Sequence, residues 1–190
     1  MSTILKIDVH KHADLQEAVS SPVGLIANLP SPRHTRYKSE VGTSTCAICA
    51  KHRGTGPLVS PRIFEDDFVV VTHRPPPPHG RSVPGYVFVE TRRHVSGLPS
   101  LSEPEALAIA RAVWRVSRVL DSELTPEFVF SAIAGRSVPH FHQHVFVRPF
   151  GAPSSVSWND VDSWDEAPRV DEAELALLCR RISLGFEPGQ

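Results

Sequence analysis

The stretch "AGRSVPHFHQHVFVRP", residues 134–149, sets His140, His142 and His144 on every second position and then runs into Val145, Phe146 and Val147. An extended strand turns successive side chains to opposite faces. His140, His142, His144 and Phe146 therefore share one face, and Phe141, Gln143, Val145 and Val147 share the other. Imidazole changes charge near neutral pH, acts as a nucleophile or base, and is a common zinc ligand. The pattern admits three readings: surface histidines, a metal held by the three imidazoles, or a division of roles among them. The rest of the chain has to decide.

Composition narrows the setting. A chain of 190 residues suffices for one domain with a real core, since a domain near this size buries roughly 70% of the surface its unfolded chain exposes. Lysine and arginine number 20 against 21 acidic residues. That balance gives no basic field of the kind that dominates sequence-independent nucleic-acid binding, and a small or phosphorylated ligand fits better. The start, "MSTILKIDVHKHADL", carries Lys6 and Asp8 inside its short apolar run and does not read as a signal peptide. With no long apolar stretch, the expectation is a soluble, cytoplasmic protein without a membrane partner. Three cysteines are an odd count, and two of them lie in "CAIC", which favours a metal or redox pair in a reducing compartment.

The element pattern is that of an α+β domain. Residues 1–43, with the Pro/Ser/His-rich "NLPSPRHTRYKSEVG" near their end, read as an N-terminal arm. "RIFEDDFVVVTHR" predicts two strands around Asp66 and Asp67, "GYVFVETRRH" a third, and "EFVFSAI" and "HFHQHVFV" two more. Pro75 to Pro78 cannot donate to a ladder, so "PPPPHGRSVPG" must be an extended loop. Ser102 as cap, Pro104 in the first turn and Glu105 in the capping-box place open a long helix. Its helical repeat reads through Leu107, Ala110, Trp114, Val116 and Leu120. "DEAELALLCRRI" predicts a helix in the C-terminal tail, 151–190, where Trp158 and Trp164 pack the tail over the domain or a dimer seam. About five strands, one central helix and a terminal helix make up the domain.

Cys46 and Cys49 have the spacing that lets two thiolates reach one tetrahedral zinc, with a redox pair as the competing reading. Redox pairs of the thioredoxin type open a helix after a strand, whereas this one follows a linker. A closed site needs two further ligands. His52 competes by proximity in sequence, but His94, at the end of "ETRRH", and His140 form the spatially plausible pair. Zinc then takes His140 from the three and leaves His142 and His144 for chemistry.

These residues resemble the histidine triad (HIT) superfamily, whose signature alternates His with apolar residues; "HFHQHVF" departs from it only at Gln143. "FEDDFVVVTHRP", "PGYVFVETRRHVSGLPSLSEPE" and "GRSVPHFHQHVFVRP" follow in the family's order over approximately residues 44–150. The resemblance implies a HIT-like fold, an antiparallel sheet with one long central helix. It implies a structural Zn2+ on Cys46, Cys49, His94 and His140, as in the zinc-bearing branches. It implies hydrolysis or transfer of a nucleotidyl or related phosphate ester or phosphoramidate through a covalent intermediate on His142. His144 would bind phosphate or protonate the leaving group. Ser137 would hydrogen-bond phosphate and leaving group, and backbone N–H groups near Gly135 would cradle the anion. Arg136, where many relatives carry Gln, is a further candidate for phosphate. Members of the family are often homodimers.

Departures bear on substrate. Nucleotide-binding members place an acidic residue after the second strand to hold the ribose, and here His73 and Arg74 stand at the nearest positions. The proline loop would present His73, Arg74, His79 and Arg81 at small entropic cost and favour an extra phosphate, carboxylate or sulfate. Gln143 requires a partner or a wet face. Beside the phosphohistidine hydrolase stand two alternatives: a metallohydrolase with catalytic zinc on the three histidines, and a non-catalytic nucleotide- or phosphate-binding module.

Overall fold

The computed structural model of the protein describes residues 44–77, 80–135 and 137–187. The arm 1–43, Pro78, His79 and Arg136 lie outside the described residues. Five strands, β1 (Arg62–Glu65), β2 (Val69–His73), β3 (Tyr86–Thr91), β4 (Phe128–Ala132) and β5 (His142–Arg148), form one antiparallel sheet in the order β1-β2-β3-β5-β4. Among the described residues three α-helices accompany it: α1 (Ala47–His52), α2 (Glu103–Leu124) and α3 (Glu172–Leu184). Among the described residues no helix is long and apolar enough to cross a membrane.

Alternation along the strands decides which face meets the core. Val87 and Val89 of β3, Val145 and Val147 of β5, and Val69 and Val71 of β2 point to one side and pack with Ile109, Val116 and Leu120 of α2. Each fully buried aliphatic side chain of this kind contributes about 1.5–3 kcal/mol. α3 enters the same core through Leu175, Leu178 and Ile182, and the chain after it stacks Phe186 on Phe64 at 4.3 Å between ring centroids. The C-terminal helix is thus part of the domain's interior.

α2 begins as its sequence dictates. Ser102 accepts from the Glu105 N–H, and the Glu105 carboxylate accepts from the Ser102 N–H, closing the capping box. The phase of its buried stripe differs from the sequence reading. Glu105, Ile109, Ala112, Val116 and Leu120 face inward, while Leu107 and Trp114 are more than half exposed and Ala110 is exposed. Residues three and four apart share a face, so two offset stripes both read as apolar, and the sheet selects the one with the smaller Ala112 and branched Val116 and Ile109 against it.

The opposite face of the sheet carries Tyr86, Phe88 and Glu90 from β3, beside His142, His144 and Phe146 of β5. α1 covers one end of this face, with Lys51 reaching Thr72 and Glu90. The tail covers the other, where Trp158 packs on Phe146 and Phe130 at 5.8 and 5.5 Å. Trp164 joins Val83, Val161 and Ala167 in a small apolar cluster beside it. Gly85, which opens β3, has φ +84, and an added Cβ would lie 2.7 Å from Leu124 Cδ1, so both conformation and space require glycine there.

Candidate metal centre and active site

The cysteine pair opens α1, a helix not among the elements predicted from the sequence. Cys46 is its N-cap, and its sulfur accepts the Cys49 N–H at 3.5 Å. One helical turn between positions 46 and 49 brings both sulfurs to the same side. His94 arrives from the end of β3, where Arg93 is tied to Glu105 by hydrogen bonds of 2.9 and 2.6 Å. His140 precedes β5, which starts only at His142, so its ring is free of the strand's alternation. Backbone bonds from Phe141 N–H to the Val95 carbonyl (2.6 Å) and from Thr91 N–H to the Phe141 carbonyl (3.3 Å) zip the two segments together.

The structure brings Cys46, Cys49, His94 and His140 into one cluster whose ligating atoms all lie within 4.8 Å of one another. His140 Nδ1 is 3.4 Å from both sulfurs, and His94 Nδ1 is 3.4 Å from that of Cys49. A tetrahedral ion with ordinary zinc–sulfur and zinc–nitrogen bonds has a sulfur–nitrogen edge of about 3.6 Å. The residues fit such an ion. His140 Nε2 donates to the Thr91 carbonyl at 2.7 Å, which leaves the Nδ1 lone pair for a metal and supplies the outer hydrogen bond that ligating histidines use. Burial holds His140 down to about 4, in the neutral form that ligation needs. Burial, reinforced by Cys46, pushes the Cys49 thiol up to about 11, a penalty on the thiolate that a cation among these atoms would reverse. His52 is no part of the cluster: its Nε2 lies 2.9 Å from Glu90 Oε2.

His142 and His144 stay on the open face, their ring centroids 5.1 Å apart. His142 Nδ1 is 2.7 Å from the His140 carbonyl. A carbonyl only accepts, so Nδ1 carries the proton and the neutral ring presents a lone pair at Nε2. His144 Nδ1 is 2.9 Å from the Tyr86 hydroxyl, and its Nε2 is buried without a hydrogen-bond partner. Burial, followed by the charge of His142, holds His144 down to about 4. Beneath them lies an ionic network that the sequence reading missed. Glu90, 1% exposed, meets Lys51 at 2.5 Å and His52 at 2.9 Å, and Lys51 also bonds Thr72 and sits 5.1 Å from the Phe88 ring centre. Burial acts to raise the Glu90 carboxyl, but the hydrogen bond to His52 and the Lys51 charge hold it below its ordinary value. A glutamate on the face of β3 that carries Tyr86 and Phe88, in register with His142, was the signal available for this network. Gly135 (φ +25) and exposed Ser137 lie in the loop that leads to His140.

Two residues expected in the substrate loop are engaged elsewhere. His73 is fully buried; its Nδ1 donates to the Arg74 carbonyl at 2.8 Å, and its Nε2 accepts from the Gly85 and Tyr86 N–H groups at 3.1 and 3.2 Å. It closes the loop as a structural post and does not face a ligand. The reason is its place at the end of β2, paired with Val87, on the core side of the sheet. Arg74 does emerge beside the site, but it is stacked over Tyr86 at 4.5 Å and doubly hydrogen-bonded to Asp162 of the tail. Gln143 is satisfied by Ser131 Oγ at 2.8 Å.

No family model matches the chain, and no curated protein matches it. Solved structures do. A HIT-like protein involved in cell-cycle regulation from Bartonella henselae superposes with a TM-score of 0.53 at 15% identity, over 75% of this chain and 98% of that one. A zinc-bound histidine triad family protein from Mycobacterium smegmatis gives 0.52 at 19% identity, over 76% and 94%. A histidine triad protein from Bradyrhizobium japonicum gives 0.53 at 17%, over 67% and 91%. The architecture is therefore the α+β fold of these proteins, with the sheet and central helix expected from the sequence.

Proposed function

We propose that this chain, built on the histidine triad fold, is a hydrolase or transferase of nucleotidyl or related phosphate derivatives that works through His142, with a structural Zn2+ on Cys46, Cys49, His94 and His140. The observation that carries the reading is the 2.7 Å hydrogen bond from His142 Nδ1 to the His140 carbonyl, which fixes the tautomer with its lone pair at Nε2. In the first step this lone pair forms a bond to the substrate phosphorus, and the bond to the leaving group breaks with its electron pair. The leaving oxygen or nitrogen takes a proton from solvent, and Ser137 is the residue proposed to hydrogen-bond it. In the second step water, or another acceptor hydroxyl, attacks the phosphorus, loses its proton to solvent and releases the neutral His142 ring.

His144 is suited to bind rather than to ionise. We assign the Tyr86 hydroxyl, 2.9 Å away, as donor to Nδ1, so that the buried Nε2, without a partner in the protein, carries the proton and offers a hydrogen bond to a phosphoryl oxygen. We assign the same phosphate to Gly135 and Ser137, in the loop that leads to His140. Zinc, when bound, supplies folding free energy and holds His140, whose carbonyl orients the nucleophile. A catalytic metal on the three histidines is disfavoured, because His140 spends Nδ1 toward the two sulfurs and Nε2 on Thr91.

The test is a rapid quench in alkaline detergent with a substrate labelled at the α-phosphorus. An acid-labile, alkali-stable phosphoprotein should form in the wild type and be absent from His142→Ala, and His142→Gly should regain turnover with added imidazole. Full activity in His142→Ala would end the covalent mechanism, and tight nucleotide binding without any turnover would favour the binding module.

A further inference from the structure

Between β2 and β3 the proline loop leaves the sheet, and the tail returns against it. Ser82 and Val170 exchange two backbone hydrogen bonds of 3.0 and 2.9 Å, and Arg74 grips Asp162. The two segments enclose a cavity of about 660 Å³ lined by Arg74, Arg81, Ser82, Asp162 and Arg169 among others. Three guanidiniums face one carboxylate there. Ser82 is 3% exposed, and its hydroxyl is buried with no hydrogen-bond partner. A buried hydroxyl left unpaired is costly, so this one points to a ligand that accepts from it. The guanidiniums are pinned by backbone carbonyls, Arg81 to Arg169 at 2.8 Å and Arg169 to Asp162 at 3.3 Å, each bond using one of five donors. Such prior fixing lowers the entropy lost on binding.

We propose that this cavity is a second anion site, which takes a phosphate of the substrate other than the one attacked by His142. Three arginine charges less one aspartate charge leave an excess of two, which matches a phosphate dianion and exceeds a carboxylate. The cavity adjoins the reaction centre through one ring: Arg74 stacks on Tyr86, whose hydroxyl bonds His144. The tail, not the loop alone, completes the site through Arg169 and Asp162. As a statement about substrate the inference rests on the reading of His142 given above, and as a statement about binding it stands without turnover.

Inorganic phosphate is titrated into the full chain by calorimetry, with wild type, His142→Ala, Ser82→Ala and the pair Arg81→Gln/Arg169→Gln. Ser82→Ala keeps the backbone bridge to Val170 and guards against a variant that misfolds. Phosphate affinity should fall at least tenfold in the arginine pair and about threefold in Ser82→Ala, and hold in His142→Ala. No binding to wild type, or losses confined to His142→Ala, would overturn the proposal. In turnover, the arginine pair should raise KM for a nucleoside phosphoramidate bearing a further phosphate and leave that of the plain phosphoramidate unchanged. An equal rise for both would overturn the link to substrate, whereas phosphate binding in a protein without any turnover would overturn the reading of His142 instead.

Discussion

Acid should destabilise the fold through His73, and the size of the effect follows from its surroundings. Burial, helped by the Arg74 charge and opposed by the hydrogen bond to the Arg74 carbonyl, brings its pKa from 6.5 to about 4. Protonating Nε2 would aim a new N–H at the Gly85 and Tyr86 N–H groups that it now accepts from. The unfolded chain takes up this proton at pH 6.5 and the folded one only near 4, so stability falls as pH is lowered between those values. The slope for one such group is about 1.4 kcal/mol per pH unit, and the whole window amounts to about 3 kcal/mol. His73→Gln removes the titration while keeping an amide oxygen that accepts one of the two N–H groups. Urea unfolding at closely spaced pH values should show the variant's slope reduced by about 1.4 kcal/mol per unit. Any constant loss from the substitution shifts the whole curve and leaves the slope to report. Parallel curves for wild type and variant would refute the reasoning.

Metal analysis of the purified protein should find one zinc per chain, and Cys49→Ser should lower the unfolding midpoint far more than it changes the chemistry of the remaining folded protein. Lys51→Met leaves Glu90 buried with only His52 beside it and should cost about 3 kcal/mol in urea unfolding. Adding Glu90→Gln should recover more than half of that, because the double variant leaves no unpaired buried charge; two additive losses would show that the pair is not coupled.

Much of the fold was legible because apolar alternation and capping chemistry are local. "VVVTH", "YVFVET" and "HQHVFV" became β2, β3 and β5, and the Ser102/Glu105 box opened α2 where the residues placed it. What escaped depends on contacts distant in sequence. Nothing near Cys46 announces α1, a six-residue helix that buries Ile48 and Cys49 against Leu58 and Val138. Nothing near Arg74 announces Asp162, which lies 88 positions away. The Cys/His cluster was legible in outline because cysteine spacing and the end of "RRH" are chemical signals as well as structural ones. His73 was misread because its face was judged by the loop that follows it, while the strand that precedes it sets its direction.

The route of the tail changes how the chain can be divided. From Arg148 it crosses the face that carries His142 and His144 with Trp158 resting on Phe146, meets Arg74 through Asp162, bridges Ser82 through Val170, and then enters the interior behind the sheet as α3. A shortened protein ending at residue 150 would keep every histidine and cysteine of the two sites. It would nevertheless remove Leu175, Leu178, Ile182 and Phe186 from the core on one side and strip Trp158 from Phe130 and Phe146 on the other. The segment that appears dispensable by motif is a strap fastened to both faces, and the boundary of the folding unit lies beyond Phe186.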